Sequence, residues 1–271
     1  MGVLVRFGHG CVVGWTAAAQ PECEADTDDC GDDQQPWELV HQAGCRAGQC
    51  AVVVHDQDGC GDQSGSAEQW GDEGIAKQTL YLGADGTLRP EPGPPDGPAA
   101  RFTYDPADPT PTVGGPTLEP KSAGRKDNAV LESRADVLVH TGEALTQPVE
   151  VIGPVSARFT LRTSTDHADV FVRLCDVDPE DRSINVCDGL QTIAPDSHPA
   201  DQDGVRTVDV GMWPTAWRFK PGHRLRVQVS GGSFPQYARN TGTGEPLATA
   251  THLTRIDYEI LPSSAITLSV R

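Results

Sequence analysis

The sequence predicts an all-β protein: a two-layer sandwich of the jelly-roll kind behind an irregular N-terminal extension. Two runs carry the strand signal. Val155, Ala157, Phe159 and Leu161 alternate with Ser156, Arg158, Thr160 and Arg162, and Leu225, Val227 and Val229 alternate with Arg224, Arg226 and Gln228. Alternation of this kind places one face of a strand on a core and the other in water. The third observation is spacing. Roughly eight short runs follow one another, separated by Gly, Pro and Asp turns, and no window holds a sustained helical stripe.

The strands are expected in this order. Residues 75–98 hold a short strand, Thr79 to Leu82, the turn Gly83-Ala84-Asp85-Gly86, and a stiff Pro-rich connector from Pro90 to Pro98. The sandwich proper occupies residues 99–271. Its expected strands are Ala135 to His140, Val155 to Leu161, Asp169 to Cys175, Ser183 to Cys187, Val205 to Val210, Arg224 to Val229, Thr254 to Ile260 and Ala265 to Val270. The expected core is Val137, Val139, Phe159, Leu161, Val170, Val172, Leu174, Val208, Leu225, Val227 and Val229. Cys175 and Cys187 flank the turn Asp178-Pro179-Glu180-Asp181 almost symmetrically. Two readings stand: a pair facing across a hairpin, or two buried thiols in a sheet.

Residues 1–74 differ sharply from the rest. The chain of 271 residues carries a net charge of −18, and residues 1–75 hold 14 acidic and 2 basic side chains, a net of −12. Six of the eight cysteines (Cys11, Cys23, Cys30, Cys45, Cys50 and Cys60) fall in this stretch. Its apolar runs are short and lack a period of two or 3.6, so an irregular, acidic, Cys-rich extension is expected. A string resembling the start of a calcium loop occurs twice, at Asp26, Asp28, Cys30, Gly31, Asp32 and at Asp56, Asp58, Cys60, Gly61, Asp62. A calcium loop needs an oxygen ligand where each copy has cysteine, and a Glu where they have Trp37 and Ala67. The cysteines form no C-x-x-C pair. No metal site and no cofactor are therefore expected. Arg6 and a Gly-broken apolar stretch make a poor signal peptide, which points to a cytoplasmic chain with secretion as the alternative.

Charge and hydropathy exclude further classes. A field of this sign repels phosphate backbones, so no nucleic-acid partner is expected. No apolar run approaches the roughly eighteen residues of a spanning helix, so no membrane partner is expected.

Longer strings are more specific. The chain reads YDPADPTPTVGG from Tyr104, SRADVLVHTGEAL from Ser133, VIGPVSARFTLRTSTDHADVFVRLCDVDPEDRSINVCDG from Val151 and MWPTAWRFKPGHRLRVQVSGGSFPQYARNTGTGEP from Met212. Together these closely resemble the C-terminal domain of the X-Pro dipeptidyl-peptidase and cocaine-esterase family of serine hydrolases, over about residues 79 to 271. The resemblance implies a galactose-binding-like jelly roll appended to an α/β-hydrolase catalytic domain, whose Ser, Asp and His lie upstream of everything matched. That catalytic domain is the expected partner. Residues 1–74 stop abruptly where the motifs begin, as a shifted reading frame, a misplaced start or a divergent disordered extension would produce.

The chain itself shows no catalytic residue. A nucleophile elbow needs G-x-S-x-G, and the nearest approach, Gly231-Gly232-Ser233-Phe234-Pro235, ends in proline. Ser233 reads as a loop residue. His140, His167, His198, His223 and His252 read as surface or capping histidines. Trp213, Pro214, Phe234, Pro235, Arg239 and Asn240 are the candidate domain-contact surface, because aromatics beside proline with Arg and Asn close by make rigid anchors. Internal turn packing is the competing reading of the same six residues. For the whole chain, the non-catalytic part of a serine hydrolase acting on esters or amides competes with a free-standing binding module, for example for carbohydrate.

Overall fold

The computed structural model describes residues 74–117 and 120–271, together with four short upstream strands. These four, β1 (Val5–Phe7), β2 (Cys11–Val13), β3 (Ala43–Arg46) and β4 (Gln49–Val52), form two antiparallel hairpins, β1–β2 and β3–β4. The first hairpin belongs to a unit spanning residues 1–40, and everything from β3 onward to a unit spanning residues 41–271. Otherwise the expectation for residues 1–73 lies outside the described residues.

From residue 76 the chain is a two-layer antiparallel sandwich. The smaller sheet has four strands in the order β11 (Ser183–Ile193), β10 (Ala168–Val177), β13 (Arg224–Ser230), β8 (Val137–Thr141). The larger sheet runs β6 (Leu88–Arg89), β5 (Ala76–Leu82), β15 (Ala265–Val270), β9 (Val149–Thr163), β14 (Ile256–Ile260), β7 (Ala100–Tyr104), with β12 (Arg206–Phe219) on the other edge of β9. Alternation along β9 buries Val155, Ala157, Phe159 and Leu161 and leaves Ser156 and Arg158 outside. These residues meet Val170, Val172, Leu174, Val227 and Val229 of the smaller sheet in one continuous core.

The strand β10 is buried along its whole length. Its inner face supplies the core, and its outer face is covered by the chain's own residues 105–117 and 120–136. This strap carries a single helical turn, α1 (Ala129–Glu132). Arg173, fully buried on the outer face, pins the strap: its Nη1 donates to Asn128 Oδ1 (2.8 Å) and to the Val113 carbonyl, and its Nη2 to Asp188 Oδ2 (3.0 Å). Glu132 adds a second clamp, accepting from Arg226 Nη1 (2.5 Å) and Gln228 Nε2 (2.7 Å).

Several expectations need correction. Val139 is half-buried and outside the core, and Val137, though buried, lies under the strap. The cause is register. Val227 pairs with His140 and Val229 with Leu138, so Leu138 and His140 take the core face and Val137 and Val139 the outer one. His140 is therefore a core histidine, not a surface one, its Nδ1–H donating to the Gly83 carbonyl at 3.0 Å. Of the two readings of Cys175 and Cys187, the second holds: both are free, buried thiols. Leu174 pairs with Cys187 and Cys175 with Asn185, so a bulge at Val186 throws the two cysteines out of register. Cys187 joins the core, and Cys175 receives Gln228 Nε2 on the outer face (3.3 Å). Strand β7, with a clean alternation of Ala100, Phe102 and Tyr104, is an addition to the expected set, as is the continuation of β12 to Phe219.

Candidate contact surface

The six candidate residues fall on two elements of different sheets. Trp213 and Pro214 sit in a bulge of β12, where Met212 pairs with Val155 and Thr215 with Gly153, leaving two residues opposite Pro154. Proline has no N–H to lose in such an interruption of the ladder, which fits it to a bulge. Trp213 projects from the outer face of the larger sheet, 62% exposed.

The other four lie on the loop that leaves β13. Gly231 packs so tightly on the Tyr104 ring that a Cβ would lie 2.5 Å from it, so the loop enters over this ring only because the residue is glycine. Phe234 is then laced to the strap: its N–H donates to the Thr110 carbonyl (2.8 Å), and its carbonyl accepts from Thr112 N–H (2.7 Å). The Phe234–Pro235 bond is cis. Ser233 is buried, with its Oγ 2.9 Å from Thr112 Oγ1, which bears out a loop role. The Phe234 ring remains 43% exposed. Arg239 is exposed and its Nη1 donates to the Pro106 carbonyl (3.1 Å). Asn240 Nδ2 donates to Asp169 Oδ1 (3.0 Å). Both readings of the six residues thus find material here: the polar and backbone groups pack the turn internally, and the aromatic rings remain free to meet a partner.

Arg239 and Asn240 also line a cleft of about 410 Å³ between the outer face of the smaller sheet and residues 237–247. Its floor is Asp169, 5% exposed and placed opposite Thr192 of β11. Burial pushes the Asp169 carboxyl above its ordinary pKa, against the hydrogen bonds from Asn240 and Thr192, which favour the ionised form. Leu190, Tyr237 and Leu247 give the cleft apolar walls. Gly244, with φ +73°, packs against the His167 ring where a side chain would collide, and this brings the 245–247 segment over the opening. Sequence reasoning missed Asp169 as a site residue, because nothing at position 169 marks it as different from the other outward polar positions of a strand.

Elsewhere, Asp176 accepts from His223 Nδ1–H (2.8 Å) and Trp217 Nε1–H (2.9 Å), with the Arg125 guanidinium 4.3 Å above the Trp217 ring. This joins β10, β12 and the strap at one end of the sandwich. Among the described residues no group of three or more His, Cys, Asp or Glu side chains could hold a metal ion. No helix among them is long and apolar enough to cross a membrane.

Comparison with known proteins places this architecture. A cocaine esterase from Rhodococcus sp. (strain MB1 Bresler) is 39% identical over 158 residues, 55% of this chain and 27% of that protein. A putative serine esterase from Mycobacterium bovis is 24% identical over 225 residues, 72% of this chain and 35% of its own length. Among solved structures, an aminopeptidase from a Thaumarchaeota archaeon matches 72% of this chain and 37% of its own with a TM-score of 0.66 at 25% identity. An α-amino acid ester hydrolase matches with a TM-score of 0.64 at 25% identity, over 72% of this chain and 36% of its own. The chain thus spans between about a quarter and two fifths of the length of these relatives. A family match to the X-Pro dipeptidyl-peptidase C-terminal non-catalytic domain covers residues 49–259, beginning upstream of residue 79, from which the resemblance was expected to run, and the chain belongs to that family.

Proposed function

We propose that this chain is the non-catalytic part of a serine hydrolase cleaving esters or amides, and that it works joined to or docked on an α/β-hydrolase domain supplied by the remainder of the enzyme. The observation that carries this is the family match over residues 49–259, in a chain that spans only a fraction of each esterase and peptidase relative. The absence of any G-x-S-x-G from the sequence agrees with it. Nothing in the comparisons supports a carbohydrate-binding module. The exposed rings of Trp213 and Phe234, with Arg239, are the proposed docking anchors.

The test is reconstitution. The chain is assayed alone on a nitrophenyl ester, then together with the hydrolase portion of the Rhodococcus cocaine esterase from which the matched segment has been removed. Hydrolysis is expected only where the hydrolase portion is present, and more of it when this chain is added. Turnover by this chain alone would overturn the assignment.

A further inference from the structure

The cleft over β10 and β11 contains a buried carboxylate with no counter-ion. Asp169 stands on the outer face of β10, and its hydrogen bonds come from an amide, Asn240 Nδ2 at 3.0 Å, and a hydroxyl, Thr192. Such donors bind a carboxylate without cancelling its charge, and a buried charge without a partner is unfavourable. No described ion pair supplies one. Arg239, on the same wall, donates to the Pro106 carbonyl of the strap (3.1 Å). The neighbouring carboxylate, Glu245, is already engaged by His252 Nδ1 (2.8 Å) and by the Thr251 backbone N–H (2.9 Å), which leaves Asp169 as the carboxylate of the cleft without a cationic neighbour bonded to it. The cleft is about 410 Å³, the size of a small organic molecule, and Leu190, Tyr237 and Leu247 line it with apolar surface. Leu247 is 60% exposed, an apolar side chain at the mouth with no other described residue burying it.

We infer that this cleft binds an organic ammonium, its cationic nitrogen on Asp169 and its apolar body against Leu190, Tyr237 and Leu247. The carboxylate supplies the charge, and Asn240 holds it in position by taking one of its oxygens. A neutral ligand of the same shape gains the walls but leaves Asp169 uncompensated. A carboxylate-bearing ligand meets Asp169 and Glu245 with like charge. The inference does not depend on the hydrolase reading, since every group it uses belongs to this chain.

Calorimetric titration of the full chain with benzylamine, and with benzyl alcohol as the neutral match, tests it. Benzylamine is expected to bind about tenfold or more tightly than the alcohol, and Asp169→Asn to remove that preference while Asn240 keeps an oxygen to donate to. Leu247→Lys, at an exposed position on which the fold does not depend, brings a tethered ammonium to the mouth and is expected to weaken benzylamine. Nα-acetyl-lysine methylamide separates the sources of the ammonium: tighter binding than benzylamine assigns a lysine side chain of another protein, weaker binding a free small amine. Equal affinity for benzylamine and benzyl alcohol, unchanged benzylamine affinity in both variants, or no benzylamine binding at about millimolar concentration overturns the inference.

Discussion

His140 occupies a core position that a hydrocarbon would normally fill, and burial pushes its pKa down to about 4 from an ordinary 6.5. Its Nδ1–H is spent on Gly83, and its Nε2 is buried without a partner, so the ring is neutral in the folded state. The unfolded chain takes up a proton below about pH 6.5, whereas the folded chain resists until about pH 4. Stability is therefore full above that window and falls as the pH drops through it, by an amount of order 2 kcal/mol between pH 7 and pH 5. Urea unfolding of wild type and His140→Gln at both pH values is expected to show a steeper loss in the wild type; equal slopes would refute the account. Asp169 runs the other way. With its folded pKa raised, ionisation costs stability once the pH climbs above the ordinary carboxylate value, so Asp169→Asn is expected to raise the unfolding midpoint at pH 7 and to lose that advantage near pH 3. Neither role was legible in the sequence. In Val137-Leu138-Val139-His140 either parity gives an apolar pair or a mixed one, and only the pairing of His140 with Val227 decides which face is inside.

Element by element, alternation made the longer strands readable, whereas β7, which alternates as cleanly over only five residues, was not picked out. Residues 265–270 form β15 with the bounds the pattern gives, and β9 and β13 bury the residues their alternation selects. The strap was not readable. It contains no periodic signal, and it is held by contacts between residues far apart in the chain, such as Arg173 with Val113 and Asn128, 60 and 45 positions away. Arg173 itself looks like any outward polar residue of a strand until the strap closes over it. This gives the pair Arg173–Asp188 a measurable signature. Removing the guanidinium alone leaves Asp188, 2% exposed at its side chain, as a buried charge with only the neutral Gln236 amide donating to it, and Arg173→Leu is expected to cost about 3–5 kcal/mol. The double variant Arg173→Leu, Asp188→Leu is expected to recover much of that loss, because no charge is then stranded. Chemical denaturation of the two single variants and the double closes the cycle, and simple additivity would show that the two side chains act independently.

At the scale of the whole molecule, the two outer faces of the sandwich are unlike. The smaller sheet is covered by the chain's own strap and by the loop after β13, whereas the larger sheet keeps Trp213 projecting, 62% exposed, from a face that no described strap covers. The family and its fold were legible because motifs such as those from Val151 to Gly189 are long and specific. The partition of the six candidate residues between β12 and the loop was not, since it depends on which sheet each strand joins. Anchors for a partner differ from fold-bearing residues in a way that can be measured. The Phe234 ring and the Arg239 guanidinium are exposed, and the hydrogen bonds that lace Phe234 to Thr110 and Thr112 use only its backbone. Alanine at Phe234 therefore removes little that the isolated domain uses, and alanine at Arg239 removes one hydrogen bond, to the Pro106 carbonyl, so the unfolding free energy is expected to fall by no more than about 0.5 kcal/mol in the first and about 1 kcal/mol in the second. If these side chains anchor the hydrolase domain, each truncation weakens association by about tenfold, the effect of losing a well-packed anchor. Trp213→Ala, measured beside them, separates docking through the outer face of the larger sheet from docking through the loop. Sedimentation or calorimetry with the hydrolase portion, paired with thermal melts of the isolated variants, reads both quantities. Large losses of thermal stability with association intact would show instead that Phe234 and Arg239 pack their own turn.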